Sequence, residues 1–224
     1  FEHTVLQLAS RAPDRVSPFA IVQTLPNLAA GWVSIELGTR GPLLCQSTAC
    51  AASNMAIGDA LDSIRLGRAD VMVCGGTEAP VTATSVAGFA AMRALSTRND
   101  DPATASRPFD RDRDGFVIAE AAAVLVLEEL EHARARGARI YAELAGYGVS
   151  SDANHVSDPD PVGTNAGRAV SMALNDAGLE PADIGYVNAH GTSTPAGDAA
   201  ETRVLKLVFG ESLPGGPLIS SAKG

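Results

Sequence analysis

Apolar and polar residues follow one another along the chain with periods that alternate between strand-like and helix-like. Short apolar runs predict strands, or strand ends, at Leu43–Cys45, Asp70–Cys74, Phe116–Leu127, Ile140–Val149, Ile184–Ala189 and Pro217–Ser221. Longer segments with helical spacing predict helices at Ala51–Leu66, Ser85–Met92, Glu128–Arg136, Ala166–Ala177 and Ala199–Val208. The polar segment Ser96–Asp114 predicts a long ordered loop. The alternation predicts an α/β fold, a mixed sheet covered by helices.

The first candidate for chemistry lies where a strand end meets a helix, in the run QSTACAASNMAIGDALDSIRLG. Cys50 falls at or just before the first helical turn of Ala51–Leu66. Free backbone N–H groups and the positive end of the helix dipole favour a thiolate at such a position. Cys50 is therefore a candidate nucleophile. The alternative is a small buried apolar residue, which is the usual role of a free cysteine.

A second candidate is the run NAHGTSTPAGDAAE, which follows the apolar strand Ile184–Val187. Its position puts His190 at the carboxyl end of a strand, where open α/β sheets build their sites. Hydroxyl groups lie beside it on Thr192, Ser193 and Thr194. Pro195 and Gly197 predict a turn after them. Asp198 is then expected to cap the helix that begins at Ala199.

A third polar group occupies the same type of position at the end of the sequence. Lys223 follows the predicted strand Pro217–Ser221 after Ser220, Ser221 and Ala222. A lysine just past a strand is usually a solvated charge. Here it joins the cysteine and the histidine, each of which also borders a strand end.

Composition narrows the functional classes. The net charge of −9 argues against a nucleic-acid surface, and no apolar run reaches the ~18 residues that a membrane helix needs. The three cysteines have neither a disulfide pattern nor metal-ligand spacing. With 46% hydrophobic residues and 22 glycines, the chain suits a tightly packed, cytoplasmic α/β enzyme. An acidic partner would have to meet a local basic patch, for which Arg65, Arg68, Arg93 and Arg98 are candidates by proximity, although a solvated face is the more common role of each.

Several motifs together resemble the condensing enzymes of fatty-acid synthesis, the elongating β-ketoacyl-acyl-carrier-protein synthases of type II in the thiolase superfamily. These motifs are TACAAS, GRADVMVCGGTEA, ALSTRND, SRPFDRDRDGFVIAE, NAHGTSTPAGD and SSAK. The resemblance implies a five-layered α/β/α/β/α thiolase-like fold that is incomplete here. Residues 1–137 would be the remainder of the N-terminal half, with the nucleophile. Residues 138–224 would begin the C-terminal half, with the histidine and lysine motifs.

The same resemblance implies a decarboxylative Claisen condensation that lengthens an acyl chain by two carbons. Cys50, His190 and Lys223 would be catalytic. Glu201 and Asp198 would support them, with Glu201 and Lys223 forming a buried charged pair, and Thr192 and Thr194 would bind the phosphopantetheine arm. No metal or other cofactor is implied. The implied partners are an acyl carrier protein and a second copy of the chain in a homodimer, with no nucleic acid and no membrane.

Other members and neighbours of the superfamily define the alternatives. A polyketide-type ketosynthase uses the same chemistry and similar motifs. A non-catalytic chain-length subunit usually lacks the nucleophilic cysteine, so Cys50 argues against it, and HGTSTPAGD is not a thiolase motif. Family members also begin with a glycine-rich strand and continue past the lysine motif into a GH pair and a GFGGTN loop. The resemblance therefore predicts that this sequence is the middle of a ketosynthase.

Overall fold

A computed structural model describes residues 2–10, 16–210 and 215–224. The chain divides into two compact units that interleave along the sequence. Unit 1 comprises Phe1–Thr84 and Glu120–Glu143, and unit 2 comprises Ser85–Ala119 and Leu144–Gly224. None of the helices in the described ranges combines the length and the apolar character needed to cross a membrane.

Unit 1 contains a pair of antiparallel strands with one helix packed against it. Its elements are α1 (Glu2–Ser10), α2 (Leu28–Leu37), α3 (Ala52–Arg65), β1 (Val71–Glu78), β2 (Ala121–Glu128) and α5 (Leu130–Ala135). Strands β1 and β2 are antiparallel, in a register that pairs Val71 with Glu128 and Glu78 with Ala121. Helix α3 packs on β1 so closely that a Cβ atom on Gly76 would overlap the Ser53 side chain. Such contact requires glycine, and it fixes the helix against the sheet.

The predicted helix at Ala51–Leu66 and the strands at Asp70–Cys74 and Phe116–Leu127 are confirmed as α3, β1 and β2, with shifted ends. The buried positions of α3 are Gly58, Ala60, Leu61 and Ser63. Leu66, the last residue of the predicted helix, lies one position beyond the end of α3 at Arg65 and is 63% exposed.

The predicted strand end at Leu43–Cys45 is wrong. Residues 42–48 have no regular secondary structure, and Leu43 and Leu44 are exposed. A strand requires a neighbouring strand to accept its backbone hydrogen bonds. No strand of the described part of the chain pairs with this segment.

Unit 2 contains a short parallel sheet and two packed helices. Its strands are β3 (Tyr186–Asn188) and β4 (Leu218–Ser220), and its main helices are α6 (Thr164–Ala177) and α7 (Pro195–Phe209). The parallel register pairs Tyr186 with Leu218 and Asn188 with Ser220. Parallel strands place their carboxyl ends at one edge of the sheet, so the segments after Asn188 and after Ser220 emerge side by side.

The predicted strand at Ile140–Val149 is also wrong. Residues 138–149 have no assigned strand. The two glycines of the segment, Gly146 and Gly148, instead approach the α6 backbone at Ala173 and Ala169 so closely that a side chain on either would overlap it. The apolar residues of this segment therefore mark packing against a helix. Periodicity alone does not distinguish such a segment from a strand.

Helix α4 (Ala83–Ala91) begins at the boundary between the units and confirms the helix predicted at Ser85–Met92. The long loop predicted at Ser96–Asp114 is confirmed, with a 3-10 turn at Pro102–Thr104. Asp114 anchors the loop. The pKa of Asp114 is lowered to about 2. The causes are hydrogen bonds from the Ser96 hydroxyl and from the backbone and side chain of Thr97, together with the positive charge of Arg107.

Candidate active site

Cys50 lies in a 3-10 turn, Ala49–Ala51, that leads directly into α3. This confirms its predicted position at the start of a helix. The preceding residue, Ala49, has φ of +51°, a left-handed conformation that residues with a side chain seldom adopt. The turn is therefore held against an intrinsic backbone preference, as is common at functional sites. Cys50 is exposed, so the buried apolar role is excluded within the described structure.

His190 follows β3 at the edge where the parallel strands end, as predicted. The backbone N–H of Ala189 donates to the carbonyl oxygen of Ser220 at 2.8 Å, which continues the pairing of β3 with β4 up to the histidine. The carboxylate of Glu201, in the second turn of α7, accepts hydrogen bonds from the N–H groups of His190 (2.6 Å) and Gly191 (2.7 Å). Helix α7 thus determines the path of the backbone at His190.

Lys223 reaches the same turn from the other side. It follows β4, and its Nζ donates to the carbonyl oxygen of His190 at 2.6 Å. The expected buried Lys223–Glu201 pair is not formed: Lys223 is exposed, and Glu201 is bound to backbone N–H groups instead. The two charges act on opposite polar groups of one peptide segment, because the amides point toward α7 and the carbonyl points toward β4.

The imidazole of His190 makes no side-chain hydrogen bond to the described residues. Part of the ring is shielded from water although the residue as a whole is exposed. This burial, together with the positive charge of Lys223, lowers the pKa of His190 below its ordinary value of 6.5, against opposing effects of Glu201 and Asp198. The ring is therefore neutral at pH 7 and retains one N–H donor and one acceptor.

Asp198 does not cap a helix. Helix α7 begins at Pro195, and its N-cap is Thr194, whose side chain accepts from the N–H of Gly197 at 3.2 Å. The predicted turn at Pro195 and Gly197 is thus the first turn of the helix, where a proline is favoured because its missing N–H has no partner to lose.

Asp198 is instead fully buried, with 1% of its surface exposed. Its carboxylate accepts from the N–H groups of Phe109 (2.8 Å) and Ser193 (3.1 Å) and lies 3.3 Å from the Arg113 guanidinium. A buried carboxylate needs such partners to offset its lost hydration. Asp198 therefore links the loop around Phe109 to the turn that follows His190.

Arg113 is a residue of this site that the sequence did not single out. Its guanidinium donates to the carbonyl oxygens of Thr194 (3.1 Å) and Pro195 (2.7 Å) while it pairs with Asp198. In the sequence it stands in the alternating charges of DRDRDG, a pattern typical of a solvated surface. Only the fold brings this loop against the start of α7.

Ser193 was noted only as one hydroxyl among three, yet it is completely buried. It has φ of +68°, its hydroxyl accepts from the N–H of Arg107 at 3.0 Å, and its carbonyl accepts from the N–H of Gly115 at 3.0 Å. The sequence does not indicate which of the three hydroxyl residues is buried, because a serine in a turn usually faces solvent.

Thr192 and Thr194 are half-buried, and their hydroxyl oxygens lie 3.0 Å apart. The carbonyl of Gly191, between this pair and His190, accepts from the Ser221 hydroxyl at 2.8 Å. Unit 2 therefore brings together six of the predicted site residues: Thr192, Thr194, His190, Asp198, Glu201 and Lys223. Cys50 belongs to unit 1.

The cluster has donors and charges for binding an acyl or anionic group, but its acidic side chains are already used by the protein. Glu201 and Asp198 accept from backbone N–H groups. Across residues 2–10, 16–210 and 215–224, no group of three or more His, Cys, Asp or Glu side chains could hold a metal ion.

Two models of one protein family match the chain. The beta-ketoacyl synthase N-terminal domain matches residues 2–133, and the beta-ketoacyl synthase C-terminal domain matches residues 141–224. A 3-oxoacyl-[acyl-carrier-protein] synthase 2 from Synechocystis sp. is 54% identical over 91% of the chain and 49% of its own length. One from Staphylococcus aureus is 52% identical over 95% of the chain and 52% of its own length. The chain thus spans about half the length of these curated relatives.

Solved structures show the same similarity in three dimensions. A ketosynthase complex described as a type II PKS acyl-carrier protein with its ketosynthase bound to the hexaketide superposes with a TM-score of 0.93. It is 40% identical, over 99% of this chain and 56% of that one. A beta-ketoacyl synthase from Burkholderia phymatum STM815 gives 0.90 at 43% identity, over 98% of this chain and 52% of that one. The predicted thiolase-like α/β fold is confirmed, and the chain belongs to the beta-ketoacyl synthase family.

Proposed function

We propose that the complete protein containing this chain is a 3-oxoacyl-[acyl-carrier-protein] synthase that elongates fatty acyl chains by two carbons. The observation that carries this proposal is the 54% identity to a synthase of that name, over a range that includes both the Cys50 turn and the charged cluster at His190. In this proposal residues 1–137 belong to the N-terminal thiolase-like half and residues 138–224 to the C-terminal half.

In the first step, the Cys50 thiolate attacks the thioester carbonyl of an acyl group carried by the acyl carrier protein. The bond between that carbonyl carbon and the carrier sulfur breaks, and the carrier leaves as a thiolate, which takes up the proton that Cys50 gave up on ionising. The N–H of Cys50, at the start of α3, is a donor to the developing oxyanion. The exposure of Cys50 is consistent with access by a long pantetheine-linked substrate.

In the second step, malonyl-carrier loses carbon dioxide, and the electron pair of the broken C–C bond forms an enolate. His190 stabilises this enolate through its N–H, for which a neutral imidazole is sufficient. The lowered pKa of His190 supports this role, since the ring does not have to lose a proton first. The enolate carbon then attacks the acyl-Cys50 carbonyl and expels the Cys50 thiolate, which gives a ketone two carbons longer.

The remaining predicted residues hold the backbone around His190 or bind the substrate. Lys223 and Glu201 hold the backbone of His190, and Asp198 holds the following turn through Ser193. Thr192 and Thr194 bind the phosphopantetheine arm through the hydroxyl groups that lie 3.0 Å apart. The proposal involves no metal or redox cofactor, because loss of carbon dioxide drives the condensation. It places the enzyme in the cytoplasm as a homodimer with acyl carrier protein as its transient partner.

A polyketide-type ketosynthase is a second candidate, favoured by one observation. The structure with a TM-score of 0.93 is described as a type II PKS ketosynthase complex. Its identity of 40% is lower than the 54% and 52% to the 3-oxoacyl synthases. Other similar structures are titled as ketosynthase/chain length factor assemblies, but the presence of Cys50 argues against a non-catalytic role.

The test is covalent labelling of the complete protein with cerulenin or iodoacetamide, followed by mapping of the adduct by mass spectrometry. We expect the adduct on Cys50 and loss of condensing activity with it. Labelling confined to Cys45 or Cys74 would overturn the assignment of the nucleophile. Supplying acyl and malonyl groups on carriers of fatty-acid and polyketide pathways then separates the two candidates by the product released.

A further inference from the structure

The segment that leads into the Cys50 turn is attached to α3 by two side-chain contacts. The amide of Gln46 donates a hydrogen bond to the carboxylate of Asp59, thirteen residues further along the chain. The hydroxyl of Thr48 lies 3.0 Å from the thioether sulfur of Met55. All four residues belong to unit 1.

The spacing of these contacts shows that they form one attachment. Gln46 and Thr48 are two residues apart, so in a locally extended segment their side chains point to the same side. Met55 and Asp59 are four residues apart and share one face of α3. The segment therefore lies along the helix and is attached at two successive turns.

Beyond these contacts the chain reverses at once. Ala49 adopts φ of +51°, and the N–H of Ala51 donates to the carbonyl of Thr48 at 3.2 Å. A left-handed alanine is disfavoured and persists only where its surroundings determine it. The part of the chain before Ala49 is fixed to α3 by Gln46 and Thr48, and the part after it is α3 itself. The two side-chain contacts therefore hold both ends of the strained turn.

We propose that Gln46 and Asp59 are positioning residues for Cys50, with Thr48 and Met55 as a second, weaker contact. They keep the exposed Cys50 thiol in the turn at the N-terminus of α3. The inference rests on the proposed role of Cys50, but the contacts themselves are independent of the substrate.

The measurement is the rate of iodoacetamide alkylation at Cys50 in the complete protein at constant pH, resolved by mass spectrometry, with a small-molecule thiol in the same reaction as the reference. Gln46→Met removes the donor without adding charge. We expect it to slow alkylation of Cys50 several-fold, because the strained turn is then attached at one contact instead of two. Thr48→Val should give a smaller decrease.

A reciprocal exchange tests whether the contact itself is responsible. Gln46→Glu places two carboxylates together and should slow alkylation further. Adding Asp59→Asn restores one amide and one carboxylate, with the original net charge, and should return the rate to near that of the parent. Asp59→Asn alone replaces the charge-assisted hydrogen bond with a weaker amide-to-amide one and should slow alkylation less than Gln46→Met does. Matched controls are Gln23→Glu and Asp62→Asn, at exposed positions of the same unit.

Retention of the parental alkylation ratio in Gln46→Met, with an unchanged circular dichroism spectrum, would overturn the inference. So would a failure of Asp59→Asn to restore the rate in the Gln46→Glu background. Acyl transfer from acyl-carrier, measured in parallel, tests the proposed function separately. If the parent protein is not acylated at Cys50, the proposed function fails, whereas the alkylation ratios still decide whether Gln46 and Asp59 position the thiol.

Discussion

The ammonium group of Lys223 lies 2.6 Å from the backbone carbonyl oxygen of His190, and it makes no ion pair with Glu201. Lysine thereby places a positive charge beside the imidazole while it fixes the peptide that carries it. Glu201 binds the N–H of the same residue from the opposite side. The backbone of His190 is held between two opposite charges that come from different elements, β4 and α7.

Removal of the Lys223 charge should raise the pKa of His190. Lys223→Ala removes one of the two causes that lower this pKa, so the titration of the imidazole should move toward 6.5. The measurement is an NMR titration of the His190 ring in the complete protein. Lys206→Ala, at an exposed lysine on α7, is the matched control and should leave the titration unchanged.

The same shift has a consequence for stability. A histidine whose pKa is lowered by folding binds protons more readily in the unfolded chain, so its contribution to stability is lost as the pH falls through its folded-state pKa. Lys223→Ala should reduce this acid-dependent loss. An unchanged His190 titration in Lys223→Ala would contradict the assigned cause.

Loss of the His190 imidazole should affect malonyl decarboxylation more than acyl transfer. His190→Ala in the complete protein should still form acyl-Cys50, because the thiolate is stabilised within unit 1. Release of carbon dioxide from malonyl-carrier should fall about 100-fold or more, as expected for loss of one donor to a developing oxyanion. Both steps can be followed with radiolabelled substrates, with His155→Ala as a control at another exposed histidine of unit 2. Normal decarboxylation by His190→Ala would refute the role.

Truncation of Asp198 should be strongly destabilising. Asp198→Ala leaves the N–H groups of Phe109 and Ser193 without their acceptor and removes the partner of Arg113, whose side chain is 17% exposed. Breaking a buried charged pair in this way costs about 3–5 kcal/mol. The measurement is urea unfolding of the complete protein. Asp158→Ala, at a side chain 78% exposed, should change the free energy of unfolding by less than about 0.5 kcal/mol. Equal effects of the two substitutions would show that Asp198 is not a structural centre of the site.

Residues 1–224 expressed alone should fold poorly and should not catalyse condensation. Large apolar side chains are exposed in unit 1, among them Trp32 (64%), Ile35 (70%) and Val126 (62%). Apolar surface of this kind favours aggregation. Size-exclusion chromatography with light scattering, and an assay for β-ketoacyl product from acyl- and malonyl-carrier, should show aggregates without turnover. Turnover comparable to that of a full-length ketosynthase would contradict this prediction.

Much of the local structure could be predicted from the residue pattern. Helices α3, α4 and α6 and strands β1, β3 and β4 occur where periodicity and apolar runs place them, because these segments carry their own signals. The position of Cys50 before α3, and of His190 after β3, depends only on the order of elements. The positions of these two residues could therefore be predicted without knowledge of any tertiary contact.

The predictions were wrong where the structure of a segment depends on the element packed against it. Ile140–Val149 has a strand-like pattern, but its glycines pack on α6. Asp198 has the chemistry of a cap, yet Thr194 occupies the capping position because the helix starts four residues earlier than expected. Short-range patterns indicate backbone conformation. They do not show which distant group a side chain contacts.

By itself, the sequence determined the order of elements, the family motifs and the residue types available for chemistry, since these depend on composition and on neighbours along the chain. The tertiary structure decided which of those residues meet. Arg113 and Asp198 are 85 positions apart, and Lys223 is 33 positions from the carbonyl it binds. Contacts of such separation form only when packing offsets the entropy of ordering the intervening chain, and no local pattern encodes them.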